Sequence, residues 1–170
     1  MRIWLLLFAL VSTASFAQKE GVEVQKSRLL LLPASTVEKS AGQQYGQLMR
    51  AAAQKGLLNN DPQQVERLKR IARELIPHAM RFNPNAEKWR WEVNLITSKT
   101  VNAFCMPGGK IAFFTGILDR LQLTDDEVAT IMGHEIGHAL LEHGRARMSE
   151  QVLKNVGVSV AAAVFNLGQL

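Results

Sequence analysis

The chain has 170 residues, of which 47% are hydrophobic and 21% are charged, and its formal net charge is +5. This length suits one modest domain with an ordinary hydrophobic fraction, and the single cysteine, Cys105, excludes an intrachain disulfide. A net charge of this size supports only non-specific attraction to polyanions, so we expect no specific nucleic-acid partner.

Residues 1–17 have the pattern of a secretory signal peptide. Arg2 gives a positive start, the eight residues from Trp4 to Val11 are all apolar, and Ser15 and Ala17 are small. Eight residues are too few to cross a bilayer of about 30 Å as a helix, although an uncleaved anchor is the alternative. We therefore expect cleavage after Ala17 and export, to a bacterial periplasm.

A flexible segment and a first helix are expected next. Residues 18–34 show no periodicity and are predicted to be a flexible N-terminal segment. Residues 35–58 have a helical pattern, with Ser35 or Thr36 as the N-cap and Gly56 near the end.

A second helix is predicted to start at Asp61-Pro62, because an acidic N-cap followed by proline at the first helical position is a favoured opening. Its apolar residues recur at helical spacing, and Pro77 is expected to bend or end it. Residues 83–85 are expected to form a loop. A basic cluster on this helix is expected to be a solvated face; its members are Arg67, Lys69, Arg70 and Arg73.

The middle of the chain has the pattern of a small sheet. Residues 89–97 alternate between apolar and polar, which predicts a strand. Residues 101–106 and 110–114 flank Pro107-Gly108-Gly109, which predicts a hairpin. A short helix is expected over residues 115–121.

The next helix opens with a capping box formed by Thr124 and Glu127. It is predicted to run from residue 125 to at least His143, and then either to end at Gly144 or to continue. The apolar tail at residues 152–170 is compatible with a buried helix or a membrane-contacting one. We favour the buried helix, because a membrane span wants about 20 apolar residues.

The motif HEIGH at residues 134–138 lies inside this capped helix. His134 and His138 are four residues apart, so their β-carbons are roughly 5–6 Å apart and both rings can bind one zinc ion. Glu135 is about 100° further round the helix, where it can act as general base on the zinc-bound water. This pattern is typical of a zinc metallopeptidase.

A third metal ligand is harder to identify, although catalytic zinc usually takes three from the protein. His143 lies about 180° round a straight helix from His134, so it is expected to face away and to be structural. Cys105 is the alternative, but a lone buried cysteine is more often a small core residue. Glu142 and Glu150 lie too far along the helix unless the chain doubles back.

Residues 89–150 resemble the CAAX-prenyl-protease-type zinc metallopeptidases, peptidase family M48, and especially their periplasmic BepA-like and mitochondrial OMA-like branches. The shared stretches are WEVNLI at 91–96, NAFCMPGGKIAFFTGIL at 102–118, TDDEVATIMGHEIGHALLEHG at 124–144 and ARMSE at 146–150. Their joint occurrence at these spacings is far more specific than the zinc motif alone.

The resemblance implies further features of the site. The family's third ligand resembles a Glu on a later helix, which would lie beyond Leu170, and a downstream His of the family would lie there too. Residues 35–170 would then form a metallopeptidase domain that is incomplete at its C-terminus. The resemblance also implies that a strand beside the metal helix pairs with extended substrate. The candidate strand residues are Asn102, Ala103, Phe104, Cys105 and Met106.

We therefore expect an α+β fold, a mostly helical zincin-like domain with a small, mainly antiparallel sheet over the HExxH helix. The expected function is a zinc-dependent metalloendopeptidase, with one zinc ion, that hydrolyses peptide bonds in unfolded or extended cell-envelope proteins. The apolar tail is compatible with membrane-surface association. The alternative functions are a truncated, catalytically incompetent peptide-binding module and an envelope structural protein.

Overall fold

The computed structural model describes residues 30–167, with side chains up to residue 155. The fold is α+β, as predicted. The elements in chain order are α1 (Ala34–Gln54), α2 (Pro62–Ala79), a 3₁₀-helix (Pro84–Lys88), β1 (Glu92–Ile96), β2 (Ala103–Met106), β3 (Lys110–Phe114), α3 (Thr115–Leu121), α4 (Asp125–Leu140) and α5 (His143–Leu167). The predicted signal peptide lies outside the described residues.

The three strands form one mixed sheet in the order β1-β3-β2. The predicted hairpin is confirmed, since β2 and β3 pair antiparallel across Pro107-Gly108-Gly109. β1 pairs with β3 in parallel, with Glu92 opposite Lys110, so the sheet is not mainly antiparallel as expected. Residues 97–102 connect β1 to β2 and leave the central position of the sheet open. The hairpin then places β3 in that position, next to both other strands. β2 is thereby left at an edge of the sheet.

Each face of the sheet packs against different helices. One face joins α2 and α4 in the larger core, which includes Leu68, Leu95, Phe113 and Met132, all with 1% or less of their surface exposed. The other face is covered by α1, through a second cluster that includes Tyr45. β2 therefore lies between α1 on one side and α4 on the other.

The predicted helix starts at Asp61 and Thr124 are confirmed. The Asp61 carboxylate accepts a hydrogen bond from Gln64 N at 3.0 Å. The capping box is complete, because Thr124 Oγ1 accepts from Glu127 N and Thr124 N donates to Glu127 Oε2 at 2.7 Å. These caps satisfy backbone donors that no helical carbonyl can reach.

Other helix boundaries differ from the prediction. α1 begins after Pro33, whose carbonyl accepts from two following amides, so neither Ser35 nor Thr36 is its N-cap. α2 runs through Pro77 to Ala79, because a proline this near the end removes only one helical hydrogen bond. Residues 83–85, expected to be a loop, belong to the cap and start of the 3₁₀-helix, where Asn83 Oδ1 accepts from Asn85 N.

The basic cluster on α2 is only partly a solvated face. Arg67 and Arg70 both bind the Asp125 carboxylate, at 2.5 and 2.7 Å, and so tie α2 to the first turn of α4. The pKa of Asp125 is lowered, mainly by the hydrogen bond from Arg70 and then by the one from Arg67. The N-terminus of α4, the helix that carries the metal motif, is therefore held by contacts from α2 as well as by its own capping box.

α4 does not continue to His143 as predicted. It ends at Leu140, Glu142 adopts a left-handed backbone with φ of 57°, and α5 then starts in a new direction at His143. The N–H of Glu142 donates to Ala139 O at 3.1 Å, which satisfies one of the last carbonyls of α4. Among the described residues, no helix is long and apolar enough to cross a membrane. At the start of the apolar tail, Val152 and Leu153 are exposed.

Candidate metal centre and substrate groove

α4 presents the metal motif because its opposite face is buried. Val128, Met132, Ile136 and Ala139 pack into the core with 4% or less of their surface exposed. Residues on the opposite face of the same helix must then face outward. His134 and His138 are such positions, and both are exposed.

The two histidine rings are arranged as a pair of metal ligands would be. His134 Nε2 and His138 Nε2 are 3.0 Å apart, and the rings meet edge to face at 84°. Two nitrogens each about 2.05 Å from a tetrahedral zinc would be about 3.3 Å apart. The observed separation therefore fits one shared zinc ion with a small opening of the pair.

An open groove of about 1000 Å³ is lined by His138 of this pair. α4 contributes Glu135 and His138 to its lining, and β2 contributes Phe104, Cys105 and Met106. The far wall is α1, and α5 closes one end.

The predicted substrate strand follows the groove along its outer edge. Ala103 and Cys105 pack with the core that includes α4, whereas Phe104 and Met106 pack with the α1 cluster. Asn102 lies just outside β2 and is exposed, and its carbonyl accepts from Phe114 N at 3.2 Å. Of the sequence-predicted residues, Phe104, Cys105 and Met106 thus line the groove, whereas Ala103 is buried and Asn102 lies outside the lining.

Glu135 is half-buried and lines the groove next to His138. Glu135 and Cys105 of β2 line the same groove. The pKa of the Cys105 thiol is raised to about 12, mainly by burial and further by the negative charge of Glu135. At neutral pH the thiol is therefore protonated, and it is not a nucleophile.

The prediction that His143 faces away from the site is wrong. It assumed a straight helix, but the chain turns at Glu142 and brings His143 back against the motif. His143 Nδ1 lies 2.6 Å from His138 Nδ1, with the two ring centres 4.9 Å apart. The pKa of His143 is lowered, mainly by burial and further by the nearby His138 and Arg147.

The remaining acidic candidates do not complete a ligand set. Glu142 pairs with Arg145 at 2.7 Å, and Glu150 lies further along the groove lining. Within residues 30–155, no three His, Cys, Asp or Glu side chains are grouped so that they could hold a metal ion. Among the described residues, the site therefore offers the His134–His138 pair, whose spacing fits two metal ligands, and the Glu135 carboxylate next to it.

Sequence reasoning missed the contribution of α1 to the groove. Val37, Ala41, Gln44 and Leu48 line the wall opposite β2. Their spacing is helical, but periodicity alone cannot say whether such a stripe faces the core or a groove. No motif in residues 34–54 indicated this role.

Known proteins are similar to this chain over the part that contains the sheet and α4. A model of peptidase family M48 matches residues 62–169, which is more than half of the chain. The chain is 43% identical to the mitochondrial metalloendopeptidase OMA1 of Arabidopsis thaliana over 74 residues, which are 44% of this chain and 14% of that protein. It is 38% identical to the metalloprotease LoiP of Escherichia coli over 88 residues, 52% of this chain and 33% of that protein.

A more distant relative is a Vibrio cholerae protein whose name describes a beta-barrel assembly-enhancing protease. It is 29% identical over 104 residues, 61% of this chain and 20% of that protein. The matched part of the chain thus spans a third or less of each of these three relatives. No solved structure gives a significant match.

Proposed function

The chain belongs to peptidase family M48, and on this basis we propose that it is a zinc-dependent metalloendopeptidase acting on extended segments of cell-envelope proteins. The observation that carries the proposal is the 3.0 Å separation of His134 Nε2 and His138 Nε2 beside the edge strand β2. A pair of imidazoles at this spacing, next to a carboxylate and an open groove, suits metal-assisted hydrolysis of a peptide.

His134 and His138 would hold one zinc ion through their Nε2 atoms. When bound, zinc supplies Lewis acidity that polarises the scissile carbonyl and acidifies a water molecule. Both histidines are exposed, and His138 lines the groove, so substrate and water can reach the pair. Because zinc in catalytic sites usually takes three protein ligands, one more donor would complete the set.

Glu135 is the proposed general base. It lines the groove beside His138 and is one residue away from His134, so its carboxylate can approach a water between the ligands and the substrate. In this role Glu135 takes a proton from the attacking water and later gives a proton to the leaving amine.

The edge strand β2 would bind the substrate backbone. An extended peptide can add to this edge by main-chain hydrogen bonds, which depend little on the peptide's side chains. Phe104 and Met106 lean towards α1, so a bound peptide would meet an apolar wall on that side. This arrangement suits unfolded or locally extended proteins as substrates.

Export to the cell envelope is proposed from the N-terminal pattern. Residues 1–17 combine a positive start, a short apolar run and small residues before the cleavage position. We also propose that residues 35–170 belong to one domain, because α1, which precedes the matched residues, covers a face of the sheet through the cluster around Tyr45.

A peptide-binding module without hydrolysis is the second candidate. The described residues contribute two metal ligands, whereas the groove and the edge strand are fully formed. Such a protein would bind extended peptides at β2 and release them uncleaved.

The test compares matched variants of the protein for bound zinc, casein cleavage and binding of a labelled unfolded peptide. His134→Ala should lose both zinc and cleavage, whereas His78→Ala, an exposed histidine on α2, should lose neither. Glu135→Gln should keep zinc and lose cleavage by roughly two to four orders of magnitude. Glu150→Gln, elsewhere in the same groove, is its control.

Three outcomes separate the possibilities. Zinc binding and cleavage that respond as described support the peptidase. Peptide binding without cleavage by the unchanged chain would replace it with the binding module. Full activity in Glu135→Gln would remove Glu135 from the mechanism.

A further inference from the structure

Both ring nitrogens of His138 have a close partner. Nε2 lies 3.0 Å from His134 Nε2, and Nδ1 lies 2.6 Å from His143 Nδ1. Two unprotonated nitrogens would repel at 2.6 Å, so one hydrogen must lie between His138 Nδ1 and His143 Nδ1. The question is which ring carries it.

Metal binding decides the direction of this hydrogen bond. An imidazole that binds a cation through Nε2 must carry its hydrogen on Nδ1. His138 would therefore donate from Nδ1, and His143 would accept at Nδ1 while keeping its own hydrogen on Nε2. Metal-bound histidines commonly donate their second N–H in this way, which fixes the ring orientation and makes the ligand more basic.

We propose that His143 is a positioning residue of the metal centre, which accepts the Nδ1 hydrogen of His138 and holds that ring in its metal-binding tautomer and orientation. This inference rests on the proposed metal site, because it concerns how one of the two ligands is held. His143 cannot also bind the same ion in this arrangement, since the His138 ring separates its Nδ1 from the paired Nε2 atoms.

The turn between α4 and α5 is what delivers His143 to this position. Glu142 takes the left-handed conformation, its carboxylate pairs with Arg145 at 2.7 Å, and Ala146 N donates to its carbonyl. His143 follows directly as the first residue of α5. Its ring therefore contacts His138 of α4.

The start of the described chain fastens this turn. Arg145 Nε donates to Leu32 O at 2.6 Å, and the buried Ser149 Oγ accepts from the backbone amides of Leu31 and Leu32 at 3.0 and 3.3 Å. These contacts join α5 to a segment more than 100 residues away in sequence. The position of His143 is thus held from outside its own helix.

Side-chain geometry supplies a matched set of variants. The Oδ1 of asparagine occupies the place of the histidine Nδ1 and can accept the same hydrogen, whereas leucine has a similar size and no acceptor. His143→Asn should therefore retain the function, and His143→Leu should lose it. His143→Gln puts its oxygen one bond further out and should be intermediate.

The experiment measures the Zn²⁺ dissociation constant of the full chain by competition with a chromogenic chelator. His143→Leu should weaken Zn²⁺ binding by about 10–100-fold, the usual effect of losing such a partner, while His143→Asn should stay within about threefold. In the zinc-loaded protein, the His138 Nδ1–H proton should be visible by NMR in the unchanged chain and in His143→Asn. It should exchange too fast to be seen in His143→Leu.

The outcomes distinguish this inference from the proposed function. No Zn²⁺ binding by the unchanged chain would remove the metal site itself. Tight Zn²⁺ binding that His143→Leu does not weaken would overturn the role of His143 alone. If His143→Leu loses its fold by circular dichroism, His143→Asn against His143→Gln decides, and equal affinities in that pair would also overturn it.

Discussion

The backbone of Glu142 offers a direct test of how the metal helix ends. Its φ of 57° is left-handed, and this residue separates α4 from α5. We compare Glu142→Gly with Glu142→Ala. Both variants lose the ion pair with Arg145 equally, so the difference between their free energies of unfolding reports the backbone alone.

The two possible backbones predict opposite signs. In the observed turn, alanine at position 142 carries the left-handed penalty of about 1–2 kcal/mol, which glycine avoids. Glycine loses about 0.4–1 kcal/mol more through its freer unfolded chain, so Glu142→Gly should be the more stable variant by roughly 0.5–1 kcal/mol. In one straight helix through residue 142, alanine would instead be favoured by about 0.8–1 kcal/mol.

Urea unfolding followed by circular dichroism measures this difference. The two expectations are about 1.3–2 kcal/mol apart, which is well resolved when the two variants unfold with the same m-value. If Glu142→Ala proves the more stable by about 1 kcal/mol, the helix is continuous. In that case His143 points away from His138, and its proposed role fails together with the turn.

Three further predictions concern the packing of the fold. Gly116→Ala should destabilise the fold by about 1–3 kcal/mol in urea unfolding, because the new methyl would lie 2.5 Å from the backbone of residues 99–100. Gly42→Ala, with nothing within 4 Å, should instead gain up to about 1 kcal/mol, and equal effects of the two would refute the close approach. Tyr45→Phe should cost about 1–3 kcal/mol, because its buried hydroxyl donates to Ile111 O at 2.5 Å and accepts from Asn94 at 2.9 Å. Tyr45 is the only tyrosine, and burial raises its pKa, so near-ultraviolet absorbance should show no tyrosinate around pH 10 in the folded chain. Its contribution to stability is complete below about pH 10 and is lost as the pH rises further, so ionisation should coincide with unfolding; a tyrosinate signal near pH 10 without unfolding would contradict the burial.

Local features of the site could be predicted from the sequence because their causes lie within a few residues. The Thr124 capping box, the Pro107-Gly108-Gly109 turn and the spacing of His134 and His138 each depend on one turn of chain. Hydrogen bonds and side-chain directions over such distances follow from backbone geometry alone. The metal motif was therefore found on a helix, with the hairpin beside it.

Features that depend on distant residues needed the tertiary structure. The parallel pairing of β1 with β3 was not predicted, since strand order depends on which edges meet after residues 97–102 have crossed the sheet. The clustering of Arg67 and Arg70 on Asp125 was not predicted either. A charge pattern on α2 carries no information about which element will lie opposite it.

The end of α4 shows most clearly where the sequence stops being sufficient. Gly144 is the residue that local propensity favours for a left-handed helix ending, but the structure uses Glu142. Helical periodicity through this stretch placed His143 on the wrong side, because periodicity assumes that the axis continues. Contacts from Arg145 and Ser149 to Leu31 and Leu32 fasten the turn. Such contacts can outweigh a backbone preference of about 1–2 kcal/mol, and they join residues more than 100 positions apart that only the folded chain brings together.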